Sequence, residues 1–267
     1  MPFKNTRASA ALFLKEDTVK TSGQISLTAE FFQSIEDIKH MGKSLLSLDK
    51  RKLYYVTGAF SSIAMLMVFD ADIRGVVVRN KSESIGKISG VDELVNSSIL
   101  FPASYIFYFA GYIKNDNKLK DAAFVSFESM LITINATALI KKIMGRRRPA
   151  SNGDQWEFNA FSRNYSFPSG HTSAAFSFFS VWASYYGRPY SYLFYLMAAF
   201  TGWSRIYKDV HWASDVVAGA LLGTLVGRTL SEHHINKHFS GSIGRINGEG
   251  FAFSLSFNIN KFFFIPD

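Results

Sequence analysis

The chain is 267 residues long, 48% hydrophobic and 16% aromatic, with a formal net charge of +8 and no cysteine. That length suits one domain with a sizeable core, and the missing cysteines exclude disulfides, thiolate metal sites and a thiol nucleophile. The positive charge suits an anionic partner, but three arginines crowd together at 146–148 and the lysines flank apolar runs, which favours phosphate groups and a membrane surface over nucleic acid.

Residues 1–52 form a polar N-terminal segment whose apolar run at 8–14 is too short for the core of a signal peptide. Within it Phe31, Phe32, Ile35, Ile38, Met41, Leu45 and Leu46 recur at helical spacing, which predicts an amphipathic helix lying on a membrane or on the rest of the domain. Six apolar runs follow, at residues 53–69, 98–113, 122–140, 172–186, 190–207 and 216–230, each predicted helical. They are about 15–19 residues long, at or just below the ~20 that span a bilayer core, and Glu128 interrupts the third. Lys50, Arg51 and Lys52 precede the first run, Lys114, Lys118 and Lys120 link the second and third, and Arg228, His233, His234 and Lys237 close the sixth. With both termini inside, all of these basic segments fall on the cytoplasmic side.

The predicted fold is therefore all-α, a six-helix bundle over residues 53–230, embedded in a membrane; a soluble bundle of buried helices is the alternative. Residues 70–96 read as a connector on the outer side, either part of a lid or a solvated link. In the tail, residues 231–267, Phe251, Phe253, Leu255, Phe257 and Ile259 alternate with small or polar residues, a β-like pattern to which no function attaches.

Between residues 141 and 215 the residue types match what a phosphoryl group needs: cations for its oxygens, backbone donors at a helix start, a nucleophile and an acid. Lys141 falls in the last turn of the third predicted helix and Arg148 just beyond it, where a guanidinium fork suits phosphate. Arg146 and Arg147 read as the basic flank of that helix. Pro168-Ser169-Gly170-His171 opens the fourth helix, so backbone amides near Ser169 and Gly170 point at an anion, Gly170 allows close approach, and the Ser169 hydroxyl adds a donor. His171 is placed to donate a proton. His211 and Asp215, four apart, share a face if helical, so the carboxylate orients the imidazole as a nucleophile. Arg205 adds a cation from the preceding helix end. Taken one at a time, each piece also has an ordinary structural reading, as a membrane-flanking basic cluster, an N-cap or a surface His–Asp pair.

The ordered set Lys141, Arg148-Pro149, Pro168-Ser169-Gly170-His171, Ser204-Arg205, His211 and Asp215 resembles the signature of the type 2 phosphatidic acid phosphatase superfamily at every motif position, over roughly residues 53–230. The resemblance implies a helical bundle and phosphoryl transfer without metal or other cofactor. His211 is then the nucleophile forming a phosphohistidine, Asp215 its support, and His171 the acid; Lys141, Arg148, Ser169, Gly170 and Arg205 bind phosphate. The expected reaction is hydrolysis of a lipid phosphate monoester or isoprenoid pyrophosphate, with partners limited to a phosphorylated lipid and the membrane. The expected location is a bacterial-type inner membrane, multi-pass, with the site facing the periplasm. Soluble periplasmic acid phosphatases and vanadate-dependent haloperoxidases of the same superfamily are the alternatives, and a non-catalytic lipid-binding protein is a third. Residues 70–96 and 150–166, with Trp156, Phe158, Phe161, Arg163 and Tyr165, are the expected substrate-selecting segments.

Overall fold

The computed structural model describes residues 34–39, 42–43, 50–151 and 153–243. The predicted β-like tail at 251–259 lies outside them, as does most of the N-terminal segment, of which residues 34–39 are helical.

Seven α-helices follow: α1 (Lys50–Arg79), α2 (Glu83–Ser89), α3 (Ser97–Ile113), α4 (Asn117–Met144), α5 (Gly170–Tyr186), α6 (Tyr190–Tyr207) and α7 (Ala213–Ile243), with short 3-10 turns at Gly90–Val95 and Pro149–Ser151. Each of the six apolar runs lies within a helix, and the helices extend past the runs where capping residues take over. Asn96 and Asp116 accept hydrogen bonds from the amides of Ile99 and Leu119 and so start α3 and α4. Gly145 ends α4 in the left-handed region at φ 56°, and an added Cβ there would sit 1.7 Å from the Asn159 carbonyl oxygen. The predicted connector at 70–96 is instead mostly helical: α1 runs on to Arg79, and α2 and the 3-10 turn fill the rest. Its charged residues hid a continuing helix whose apolar positions keep their spacing.

α5 is the core helix. Its Ala175, Phe178, Phe179 and Trp182 pack with Met130 of α4, Leu100 of α3 and Ala198 of α6, and Val181 joins Val125, Val226 and Leu230. α5 and α7 touch backbone to backbone, because Gly219, Gly223 and Gly227 of α7 recur every fourth residue against Ser169, Ser173 and Ser177. Small residues at that spacing let helices approach to direct contact.

Three described helices are long and apolar enough to cross a membrane, Leu53–Arg79, Asn117–Met144 and Ala213–Asn236, and the bent pair Glu83–Glu93 and Ser97–Ile113 makes a fourth if it counts as one span. Only 6% of the apolar window of α1 is buried inside the protein. Leu53, Phe60, Met65 and Phe69 of α1, and Tyr105, Ile106 and Ile113 of α3, lie exposed. An outer surface of that kind belongs against lipid.

Candidate active site

Four helix ends meet at one end of the bundle: the last turns of α4 and α6 and the first turns of α5 and α7. Their polarity matters, because α5 and α7 present amide N–H groups there while α4 and α6 bring cations to carbonyl-rich termini. The loop from Gly145 to Ser166 folds back over this end. The amides of Arg147, Asn159 and Phe161 donate to the carbonyls of Glu157, Gly145 and Lys142, and Ser166 N–H donates to Arg146 C=O.

Asp215, in the first turn of α7, is fully buried and held by three donors. Arg146 Nη1 reaches Oδ1 at 2.6 Å, while the Ser166 hydroxyl at 2.6 Å and the Trp212 amide at 3.0 Å reach Oδ2. His211 Nδ1 faces the same Oδ2 at 3.5 Å, within ion-pair reach but longer than those hydrogen bonds. His211 precedes α7, so the i,i+4 contact crosses the start of the helix from the loop; the shared helical face expected from the spacing is not formed. The loop is pinned on both sides. Arg74 of α1 forks onto Asp209 at 2.7 and 2.8 Å, and Trp212 Nε1 donates to the Arg147 carbonyl at 2.9 Å.

Burial pushes the His211 imidazole down to about 4, against the pull of Asp215, and the charges of Lys141 and Arg148 push the same way. His211 is therefore neutral at neutral pH, with a lone pair to offer. Lys141 reaches the carbonyls of Tyr165 and Ser166 at 2.7 and 3.3 Å and pairs with no carboxylate among the described residues. Arg148 makes no ion pair there either; burial and then Arg205 lower its pKa. Two cations without anionic partners beside a neutral imidazole make an anion-binding cradle.

The first three amides of α5, on Gly170, His171 and Thr172, precede the first helical bond, which Ser173 N–H gives to Ser169 C=O at 2.9 Å. The amide of Ser169 itself is not available, since it donates to the Asp215 carbonyl at 2.9 Å; its hydroxyl accepts from Thr172 at 2.9 Å and keeps its own proton to give. A Cβ on Gly170 would meet only Lys141 Cε at 3.6 Å and Thr137 Cγ2 at 3.9 Å, so the protein itself leaves room there. His171 is partly buried, and burial followed by the Arg205 charge lowers its pKa. Arg205 pairs with Asp92 at 2.9 Å, and Lys208 pairs with Asp92 and Glu93, while Arg205 Nε is buried with no hydrogen-bond partner among the described residues. All eight predicted site residues thus lie around this one end.

For Arg146 the reading as part of a membrane-flanking cluster is overturned. Arg146 is fully buried and bridges Asp215 to Asp70 of α1, 2.8 Å away, and it also donates to Ser214 Oγ at 2.7 Å. Arg147 pairs with Glu157 at 3.1 Å. Asp70, Ser166, Arg146 and Asp92 support the site and were not singled out from sequence. Asp70 carried a usable signal, a carboxylate directly after the apolar stretch Met65-Leu66-Met67-Val68-Phe69.

Comparison with known proteins bears on this same region. Residues 122–237, which contain all eight residues, match the PAP2 superfamily. The chain is 29% identical over 178 residues to the lipid A 1-phosphatase of Rhizobium etli, covering 59% of this chain and 74% of that protein. A lipid A 1-phosphatase of Porphyromonas gingivalis is 49% identical over 65 residues, 23% of this chain, but the match spans only 15% of that relative's length. Among solved structures, the first transmembrane PAP2 type phosphatidylglycerolphosphate phosphatase from Bacillus subtilis has a similar fold, with a TM-score of 0.50 at 21% identity over 72% of this chain and 98% of that one.

Proposed function

We propose, from the match of residues 122–237 to the PAP2 superfamily, that this protein is a membrane-embedded phosphatase that removes phosphate from a lipid headgroup through a phosphohistidine on His211, without a metal ion. The observation that carries the proposal is the pair of cations, Lys141 and Arg148, lying without carboxylate partners among the described residues beside a neutral His211 whose Nδ1 faces Asp215 at 3.5 Å. His211 Nε2 attacks phosphorus as the ester P–O bond breaks. His171 gives its proton to the leaving oxygen, and Asp215 supports the charge that develops on the His211 ring. Water then attacks the phosphohistidine with His171 taking its proton, so phosphate leaves and both histidines return to their starting states. Lys141, Arg148, Arg205 and the first amides of α5 hold the equatorial oxygens.

The lipid A 1-phosphatases among the relatives favour a glycosyl phosphate on a lipid as substrate; phosphatidylglycerol phosphate, phosphatidic acid and an isoprenoid pyrophosphate present the same reacting group. Exposed Trp156, Phe161 and Tyr165 border the site and are placed to select among lipids. The basic flanks of the helices favour an orientation with both termini in the cytoplasm and the site at the periplasmic face. In this reading residues 53–230 are the phosphatase domain, with 1–52 and 231–267 as appended segments. The test is phosphate release by detergent-purified protein in EDTA from those four lipids and a soluble aryl phosphate, beside His211→Ala. Turnover of one lipid, lost in the variant, is expected; full activity in His211→Ala refutes the mechanism, and equal turnover of the aryl phosphate refutes lipid selectivity.

A further inference from the structure

At the opposite end of the bundle lies a second polar cluster that phosphoryl transfer does not use. Asp37, from the segment ahead of α1, Glu128 of α4 and His234 of α7 are 0%, 5% and 0% exposed. One ligand atom from each lies within 4.8 Å of the other two. The helical rise puts Glu128 about 20 Å from Lys141 along α4. His234 Nδ1 is 3.0 Å from Asp121 Oδ1, and the other oxygen of Asp121 accepts the Tyr185 hydroxyl. That arrangement directs His234 Nε2 at Asp37 Oδ2, 2.7 Å away, while His233 Nε2 approaches Asp37 Oδ1 at 3.2 Å. Both carboxylate oxygens of Glu128 are buried without a hydrogen-bond partner among the described residues. Ser34 and Asp37 lie beside Glu128 without closing a hydrogen bond of ordinary geometry, and a buried carboxylate so poorly supplied with donors is costly if ionised unless a cation lies against it.

A carboxylate behind one imidazole nitrogen, with the other nitrogen facing two further carboxylates, is how proteins orient a metal-bound histidine. We propose that Asp37, Glu128 and His234 form a binding site for a divalent first-row metal ion of the Zn2+ type, oriented by Asp121 and Tyr185. Imidazole among the ligands selects such an ion over Mg2+ or Ca2+. Two carboxylates neutralise its charge, the His234 proton stays on Nδ1 toward Asp121, and a fourth position is left for water. Tetrahedral ligands at about 2.0–2.2 Å from zinc lie about 3.4 Å apart, and the present ligand atoms lie within 4.8 Å of one another. The ion would fasten the segment ahead of α1 to α4 and α7.

The site is tested on the full chain, free of any histidine tag, in detergent. Its metal content is read by mass spectrometry, and its unfolding midpoint is followed in EDTA and in excess Zn2+. About one metal per chain is expected, with a rise in midpoint of about 5–10 °C when Zn2+ is ~100-fold above its Kd. Glu128→Gln, which keeps the shape and removes the charge, loses the metal and the shift while keeping the midpoint measured in EDTA. His211→Ala retains both, which separates this site from the phosphate cradle. Should His234→Ala fail to fold, Glu128→Gln still decides. A wild-type midpoint indifferent to Zn2+, or an undiminished shift in Glu128→Gln, overturns the assignment.

Discussion

Replacing Gly223 by alanine tests whether the contact between α5 and α7 sets the catalytic geometry. The new Cβ would lie 2.3 Å from the Ser173 carbonyl oxygen and 2.7 Å from the Ser177 nitrogen, where ordinary contact begins at 3.4 Å. Both atoms are helical backbone and have no rotamer to escape into, so the two helices must separate by about 1 Å, a displacement on the scale that costs ~100-fold in rate when it reaches reacting groups. Here it does, because α5 carries Ser169, Gly170 and His171 and α7 carries Asp215, with the Ser169 amide bonded directly to the Asp215 carbonyl. Overpacking costs about 1–3 kcal/mol, and the better helix propensity of alanine returns at most about 1 kcal/mol. Gly223→Ala is therefore expected to unfold several degrees lower and to lose about 100-fold in kcat/KM on a lipid phosphate. Gly86→Ala, where nothing lies within 4 Å, serves as the control and keeps full activity. Wild-type kcat/KM and midpoint in Gly223→Ala would refute the claim that helix contact positions the site.

Other expectations separate Arg148 from Arg146 and His211 from His171. Arg148→Ala should lose about 10²–10³ in kcat with an unchanged unfolding midpoint, since its side chain pairs with no carboxylate among the described residues and is proposed to bind substrate; loss of the midpoint as well contradicts this. Arg146→Met strands Asp70 and Asp215 and should cost about 3–5 kcal/mol in chemical denaturation, with part regained in the Asp70→Asn/Arg146→Met double variant. In the pH profile of kcat/KM, activity should rise with pH as His211 loses its proton at about 4, and fall again as His171, held below its ordinary value of 6.5, loses the proton it must donate. The depressed His211 value also means that its contribution to stability is full above about 6.5 and is lost as pH falls toward 4, a slope that His211→Ala should flatten.

Six helices, and the gathering of the eight predicted residues at one end of them, were legible because both signals are local: apolar runs mark helices, and cations or histidines at their ends mark what those ends can hold. What escaped depends on tertiary partners. Arg146, Arg147 and Arg148 are chemically identical neighbours, and only Asp70 and Asp215, Glu157, and the open cradle tell them apart. The four-residue spacing of His211 and Asp215 serves equally within a helix or across its start, so the spacing alone left the loop position of His211 open. Glu128 was visible as an interruption, but its companions Asp37 and His234 are 197 residues apart in sequence, beyond any periodic pattern.

The Asp70–Arg146–Asp215 bridge has a consequence for biosynthesis. Its members arise from α1, a loop past mid-chain and α7. A nascent chain that has inserted α1 through α6 therefore holds Arg146 with one of its two carboxylates, Asp215, still missing. On the proposed function, the site is complete only when α7 arrives and docks, so a product truncated before α7 is expected to be inert toward lipid phosphates.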